Sequence, residues 1–356
     1  MKIGIVMGTR PEIIKMAPVV RACLERQVPY LLLHTGQHYS FELDEVFFRE
    51  LGLPEADVNL RVGSGEAAEQ LAAIVSGTAA WIARERPDWV LVEGDTNSVL
   101  GAALAAHKSG VRVGHVEAGL RSFDRSMPEE LNRILTDHLS DLLFAPTKRA
   151  AARLATEGIA PERVRVTGNT VVDELVHERE RARGNGARAK HGLAPRAYML
   201  ATLHRAENTD DATRLLGIVE GYGRAAAALK LPVLCALHPR TRARLHELRR
   251  SPPEHVRFLP PLGYLEFLAL HADAALVLTD SGGLQEEACV LGVPCVTTRD
   301  NTERPESVEV GANRLAGADP QRIAAAAAAM VAVPRDWQQP FGDGHAAERI
   351  VDALLG

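Results

Sequence analysis

Short aliphatic and β-branched runs, each followed by a segment with helical spacing of apolar residues, recur along the whole chain. The strand-like runs fall at 2–7, 30–35, 89–93, 111–115, 142–145 and 164–167. The rhythm then restarts at 198–203, 233–237, 256–259, 275–279 and 294–297. Strands that are apolar throughout and separated by helices belong to parallel sheets covered on both faces. Two such series predict an α/β chain of two doubly wound domains, and 356 residues suffice for two cores. The stretch "HERERARGNGARAK" between the series is charged, Gly-interrupted and without a core pattern, so it reads as a connector. The domains are predicted over 1–168 and 169–340.

Composition narrows the function classes. The net charge of −5 argues against a nucleic-acid binder, which would present a basic face. No run approaches the roughly 20 apolar residues of a membrane helix. The N-terminal "MKIGIVMGTRPE" lacks the long apolar stretch and small-residue cleavage site of a signal peptide. A soluble, cytoplasmic protein is expected. Cys23, Cys235, Cys289 and Cys295 form no C-x-x-C pair and sit among apolar neighbours, as small core residues do. No H-E-x-x-H or similar spacing appears, and no metal is predicted. The alanine run "IAAAAAAM" reads as a plain packing helix.

In open parallel sheets, ligands bind beyond the C-terminal strand ends, so the residues just after each strand carry the functional information. After the first strand, Arg10 and Lys15 place cations at a helix start, against the dipole, where an anionic ligand would offset them. Asp95 follows the 89–93 strand and is also a good N-cap type. Glu117 follows the 111–115 strand with no helix start to cap. Pro128 opens a helix whose first turn carries Glu129 and Glu130, with Arg133 placed to pair with Glu129. Each acid alone has a structural explanation. Asp95, Glu117 and Glu129 on one rim point to acid/base chemistry, because crowded carboxylates raise one another's pKa toward a useful range.

In the second half, His204 and Arg205 follow a strand in "HRAEN", and His238 and Arg240 do so in "LHPRT". Phe267 could stack on a flat base or simply be core, and Arg304 stands beside Pro305 at a helix start. "LTDSGGLQEEA" stops an apolar run at Asp280, and Ser281, Gly282 and Gly283 then open a helix. Bare N–H groups there suit a diphosphate. Glu287, one turn on, suits the vicinal hydroxyls of a ribose. The lack of G-x-G-x-x-G after the first strand disfavours NAD, and the lack of G-x-x-x-x-G-K-[ST] disfavours a P-loop NTPase. A nucleoside diphosphate satisfies what remains.

The motifs "GTRPEIIK", "TGQH", "GDTNSV", "GHVEAGLRS", "PEELNR", "HRAEN", "DSGGLQEEA" and "TERPE", in this order, resemble the non-hydrolysing UDP-N-acetylglucosamine 2-epimerase family. The resemblance implies a GT-B-like pair of Rossmann-like domains with an inter-domain cleft, and UDP held mainly by the second domain. It also implies a last helix, 341–356, crossing back to the first domain. Carried over by motif, Arg10 and His204 contact the diphosphate, and Ser281 and Gly282 hold phosphate. Glu287 takes the ribose, Phe267 lies near the uracil, and Arg304 approaches the phosphate or sugar. Lys15, Asp95, Glu117, Glu129 and Arg133 match active-site positions. The implied reaction expels UDP from C1 as C2 loses its proton, then re-adds UDP to a 2-acetamidoglucal with C2 protonated from the opposite face. A UDP-sugar substrate, no cofactor and a homodimer follow from the same resemblance. "HRAENTDD" and "FDRSMPEE" also resemble a sister branch acting on a UDP-2,3-diacetamido glucuronate. A GT-B glycosyltransferase is the rival of a different reaction class. "TGQHYSFELDEVFF" covers part of a region where several bacterial relatives bind a second UDP-GlcNAc, and departs from it.

Overall fold

The computed structural model describes residues 1–37 and 47–356, so residues 38–46 of the "TGQHYSFELDEVFF" stretch, including His38 of "TGQH", lie outside the described residues. The chain divides into two compact units, Met1–Val176 with Phe341–Gly356, and His177–Pro340. The division falls within a helix, Thr170–Arg183, whose second half opens the charged stretch read as a connector.

The first unit is built on strands β1 (Ile3–Met7), β2 (Tyr30–His34), β3 (Val58–Asn59), β4 (Trp89–Glu93), β5 (Arg112–Val116), β6 (Leu142–Ala145) and β7 (Val164–Val166). They form one seven-stranded sheet in the order β3-β2-β1-β4-β5-β6-β7. Every pairing in it is parallel. Strand alternation sends Val6, Val90, Val92 and Val113 to one face. There they pack on Trp81 and Ile82 of α2 (Ala67–Glu85) and Val99 and Ala102 of α3 (Asn97–Lys108). Gly4 permits this: a Cβ there would stand 2.5 Å from the Trp81 ring. On the other face, Gly114 lies against Leu354 of the last helix (Ala346–Leu355). That helix is tied to this unit by Asp173, whose carboxylate accepts the backbone N–H groups of Ala346 and Ala347, and by an Arg26–Asp352 ion pair.

The second unit carries β8 (Met199–Leu203), β9 (Val233–Leu237), β10 (Val256–Leu259), β11 (Leu276–Thr279), β12 (Cys295–Thr297) and β13 (Asn313–Leu315). Their order is β10-β9-β8-β11-β12-β13, again parallel. Met199, Ala201, Val233, Cys235, Leu276 and Leu278 bury one face against Leu215, Ile218, Tyr222 and Ile323 of two flanking helices. The alanine run belongs to the second of these helices and is packed as expected. On the opposite face the Tyr198 hydroxyl donates to the Leu270 carbonyl at 2.5 Å.

Each unit is thus doubly wound, as the alternation predicts, and Rossmann-like, as the resemblance implies. β3 and β13 escaped the sequence reading. They are two and three residues long and close the sheet edges, too short to display a burial period. All four cysteines are buried and free. Among the described residues no helix is long and apolar enough to cross a membrane, and no group of His, Cys, Asp or Glu is arranged to hold a metal ion. Strand order reverses between β1 and β4 in the first unit, and between β8 and β11 in the second. The loops after those four strands are where a ligand site belongs.

Candidate functional site

The loop after β1 runs into helix α1 (Arg10–Glu25), with Thr9 at its N-cap and Pro11 in its first turn. Glu12 is 1% exposed. Its carboxylate accepts from the Gly8 backbone at 2.5 Å, from Thr9 Oγ1 at 3.0 Å and from Thr96 Oγ1 at 2.6 Å. It therefore stitches the loop after β1 to the loop after β4. Burial pushes its pKa up to about 7, against the pull of those donors. Sequence reasoning passed over Glu12, although Thr9 and Glu12 have the spacing of a capping box.

Lys15, one turn further along α1, is buried and ion-paired on two sides. Its Nζ bonds the Glu117 carboxylate and lies 3.0 Å from Glu93 Oε1. Asn169 Nδ2 donates to Glu117 at 2.9 Å. Glu117 sits at φ +68°, in the left-handed region that a non-glycine residue enters only when its surroundings hold it there. Glu93, the last residue of β4, is 1% exposed. Burial raises its pKa well above the ordinary carboxylate value; Lys15 opposes the shift, and Glu117 and Glu12 add to it. Two carboxylates, Glu93 and Glu117, thus share one buried ammonium, with Glu12 close enough to add to the raised pKa of Glu93.

Asp95 does not cap α3; Thr96 does, accepting from Ser98 N at 3.1 Å. Asp95 instead receives Arg133 Nε at 2.9 Å and Nη2 at 2.7 Å on one oxygen. Its side chain stays 26% exposed. Arg133 stands on α4 (Pro128–Leu139) and also reaches Glu130 at 2.6 Å. Glu130 accepts from the backbone N–H groups of Ser122 and Phe123. Of the two acids in that first turn, Glu130 therefore holds the preceding loop, and Glu129 stays half-buried beside it. Asp95 and Glu130 are thus partners that orient the Arg133 guanidinium. Arg10 stacks 5.2 Å from the Phe47 ring.

A buried prop lies beneath these loops. His115 Nδ1 is 2.7 Å from Asp137, and its Nε2 is 2.9 Å from the Gly94 carbonyl. Arg121 joins Asp137 at 2.7 Å. Burial would raise the Asp137 pKa, but His115 and Arg121 outweigh it and hold it low. The prop fixes Gly94 and the end of β5, the backbone immediately before Asp95 and Glu117.

In the second unit, Asp280 ends the apolar run of β11 and is fully buried. Its carboxylate accepts the backbone N–H groups of His204 at 2.9 Å and Arg205 at 2.8 Å. His204 Nδ1 lies 2.9 Å from the other oxygen. Burial would raise the Asp280 pKa, yet His204 and the two backbone donors bring it down to about 2. With Nδ1 so engaged and the ring 40% exposed, Nε2 is the nitrogen left open to a ligand.

Ser281 caps the helix Gly282–Leu291, its Oγ accepting from Leu284 N at 3.4 Å. The N–H groups of Gly282 and Gly283 carry no side chain in front of them. Arg304 Nη1 approaches to 3.0 Å of the point where a Gly282 Cβ would stand. Glu286, fully buried, lies 3.4 Å from Arg304 Nε, and Glu303 lies 3.7 Å from Nη1. A helix N-terminus and a guanidinium therefore converge on one spot, with the Glu303 carboxylate 3.4 Å from the same point; the first two are groups that suit an anion. Arg299, also fully buried, pairs with Glu303 at 2.9 Å and Glu207 at 2.8 Å, tying the "HRAEN" loop to the "TERPE" loop. On the neighbouring helix Tyr264–Ala272, the Phe267 ring meets His271 edge-on at 5.8 Å, and His271 Nδ1 lies 3.6 Å from Glu287 Oε2.

Lys15 with Glu117 and Asp95 with Arg133 are thus brought together in the first unit. Ser281, Gly282, Gly283 and Arg304 are brought together in the second. His204 is set by the residue preceding Ser281, and Phe267 and Glu287 both touch His271. Glu12, Glu93, His115, Asp280 and Arg299 escaped the sequence reading, and of these only Glu12 carried a local signal.

Comparison with known proteins gives these loops a family. The family model described as UDP-N-acetylglucosamine 2-epimerase matches residues 21–355. A UDP-N-acetylglucosamine 2-epimerase of Methanococcus maripaludis is 47% identical over 362 residues, covering 100% of this chain and 98% of that protein. A UDP-2,3-diacetamido-2,3-dideoxy-D-glucuronate 2-epimerase of Pseudomonas aeruginosa is 42% identical over 359 residues, covering 99% of each. The crystal structure of the Methanocaldococcus jannaschii UDP-GlcNAc 2-epimerase in complex with UDP-GlcNAc and UDP superposes with a TM-score of 0.95 at 47% identity, covering 100% of this chain and 99% of that one. With the family model spanning nearly the whole sequence and these relatives aligned end to end, the chain belongs to the UDP-N-acetylglucosamine 2-epimerase family of isomerases.

Proposed function

We propose that this protein is a non-hydrolysing UDP-GlcNAc 2-epimerase that interconverts UDP-GlcNAc and UDP-ManNAc by elimination and re-addition of UDP. The observation that carries the reading is that the first unit holds both a buried Lys15–Glu117 pair and an Asp95–Arg133 pair on loops that follow its strands, in a chain that also sets Arg304 beside the Gly282 helix start. Carboxylates held by cations move protons, and an anion seat stabilises a departing diphosphate.

In this reading the second unit grips UDP. The N–H groups of Ser281, Gly282 and Gly283, the Arg304 guanidinium and His204 Nε2 take the diphosphate, Glu287 the ribose, and Phe267 the uracil. Arg10 supplies a further cation to the diphosphate. The C2 proton is not acidic, since no carbonyl adjoins that carbon. UDP leaves C1 while C2 is deprotonated, giving 2-acetamidoglucal and UDP. UDP then re-adds as C2 is protonated from the opposite face. Asp95, Glu117 and Glu129 share the proton transfers. Lys15 holds Glu117 in place, and Arg133 orients Asp95. The enzyme uses no cofactor or metal, acts in the cytoplasm and works as a homodimer.

A second reading keeps the C2 chemistry and changes the sugar. The likeness to the Pseudomonas aeruginosa enzyme and the short "FDRSM" linker favour UDP-2,3-diacetamido-2,3-dideoxy-glucuronate as the substrate. Separate NMR incubations with each sugar decide. The main reading expects UDP-GlcNAc to equilibrate with an intact UDP-linked 2-epimer while the uronate stays unchanged. Turnover of the uronate alone moves the assignment to the sister branch. Free ManNAc with stoichiometric UDP means a hydrolysing enzyme. Transfer of GlcNAc to an acceptor, with no epimer formed, means a glycosyltransferase.

A further inference from the structure

We propose that His271 is a positioning residue for ribose recognition, acting through the Glu287 carboxylate. The inference rests on the reading above, in which Glu287 accepts hydrogen bonds from the ribose hydroxyls. His271 has no exposed surface, and among the described residues neither of its ring nitrogens finds a hydrogen-bond partner. Buried polar groups are nearly always satisfied, and one left unmade is a standing penalty. An apolar side chain would fill the same place without it. The histidine is aimed at the proposed nucleoside pocket on two sides: its ring meets Phe267 edge-on, and its Nδ1 stands 3.6 Å from Glu287 Oε2.

Glu287 is half-buried and, among the described residues, makes no other ion pair or hydrogen bond. A glutamate carboxylate has about four acceptor sites, so two ribose hydroxyls leave room for a further donor. A turn of the Glu287 side chain by roughly 1 Å closes the His271 separation to hydrogen-bond length. The neutral ring with its proton on Nδ1 is enough; no charge on the histidine is needed. In that arrangement His271 selects one Glu287 rotamer, and both hydroxyls meet a carboxylate already in place. This lowers the ordering needed when the nucleotide binds. The effect is confined to ligands that carry the hydroxyls, so His271 tunes discrimination between ribose and deoxyribose.

The test measures dissociation constants of UDP and 2′-deoxy-UDP by calorimetry for the full-length wild type and for Glu287→Gln, His271→Leu and His271→Asn, with thermal melts as a folding control. Wild type prefers UDP. Glu287→Gln reduces the preference at least tenfold. His271→Leu reduces it at least fivefold, through weaker UDP binding, with 2′-deoxy-UDP within twofold of wild type and KM raised more than kcat is lowered. His271→Asn, whose side-chain amide keeps a donor where Nδ1 stood, restores most of the preference. If Glu287→Gln loses the preference and His271→Leu keeps it, the inference falls and the ribose reading survives. If Glu287→Gln also keeps it, both fall. Equal weakening of the two ligands in His271→Leu reduces the histidine to packing and overturns the proposal. Should the leucine variant fail to fold, His271→Met takes its place beside His271→Asn: at least a fivefold loss of the UDP preference in the methionine variant with the preference kept in the asparagine variant supports the proposal, and a preference within twofold of wild type in the methionine variant refutes it.

Discussion

Replacing Asp280 by asparagine should damage stability and turnover together. The carboxylate is fully buried and collects two backbone N–H donors and the His204 ring. Burial acts to raise its pKa, and those partners bring it from 3.8 down to about 2. A depressed carboxylate stabilises the fold above its unfolded pKa and loses that contribution as pH falls through the folded value. At about 1.4 kcal/mol per unit, the contribution near neutrality is about 2 kcal/mol, fully present above pH 4 and fading toward pH 2. Asparagine keeps the shape and removes the charge, and its NH2 group faces donors if misoriented. The second unit should therefore unfold about 2 kcal/mol more easily at pH 7, with the gap narrowing as pH falls from 4 to 2. Without the carboxylate nothing holds the Nδ1–H tautomer of His204, and kcat should fall by about 10²-fold or more, as expected when a histidine loses its orienting acid. Urea unfolding at pH 7 and pH 3, with steady-state kinetics on the epimerase reaction, measures both. An Asp280→Asn protein with wild-type stability and wild-type kcat would refute the assignment of Asp280 as the residue that sets His204.

Two further outcomes follow from the first unit. Glu12 has its pKa raised from 4.5 to about 7 by burial, so the folded state holds its extra proton between those values and stability declines as pH rises across that window, by about 3 kcal/mol. Glu12→Gln removes the titration, so its stability relative to wild type should improve by about that amount from pH 4.5 to pH 8; parallel denaturation profiles would contradict the burial argument. Lys15→Met leaves Glu93 and Glu117 without their shared ammonium, and removes the charge that opposes the raised pKa of Glu93. It should lower kcat by about 10²–10⁴-fold with UDP affinity changed only a few-fold, read from kinetics and calorimetry.

The sequence exposed the fold through its alternation, because strands buried on both faces must be apolar throughout. It hid β3 and β13, which are too short to show a pattern. Asp95, Glu117, Ser281 and Arg304 were legible because they follow strands or open helices. Glu93 was not, since it reads as the polar end of a buried strand, and its meaning comes from Lys15 on another helix. The Lys15–Glu117 pair spans 102 positions, a separation that no local spacing encodes. Asp280 read as the place where an apolar run stops, and Arg299 stood out in no motif. Both are fully buried because distant loops supply their partners. Helical periodicity gave His271 no meaning beyond core packing, because its significance lies in the next helix.

The central claim is that carboxylates of the first unit move the C2 proton of a sugar whose UDP is held by the second. Incubation with UDP-GlcNAc in D₂O, followed by NMR at C2, tests it for wild type, Asp95→Asn, Glu117→Gln and Glu129→Gln alongside UDP dissociation constants. The account predicts deuterium at C2 in both epimers for wild type. It predicts exchange reduced at least 100-fold in each variant, with UDP affinity within threefold of wild type. Epimer formed with C2 still carrying protium, or exchange and UDP affinity lost in equal measure, would contradict it.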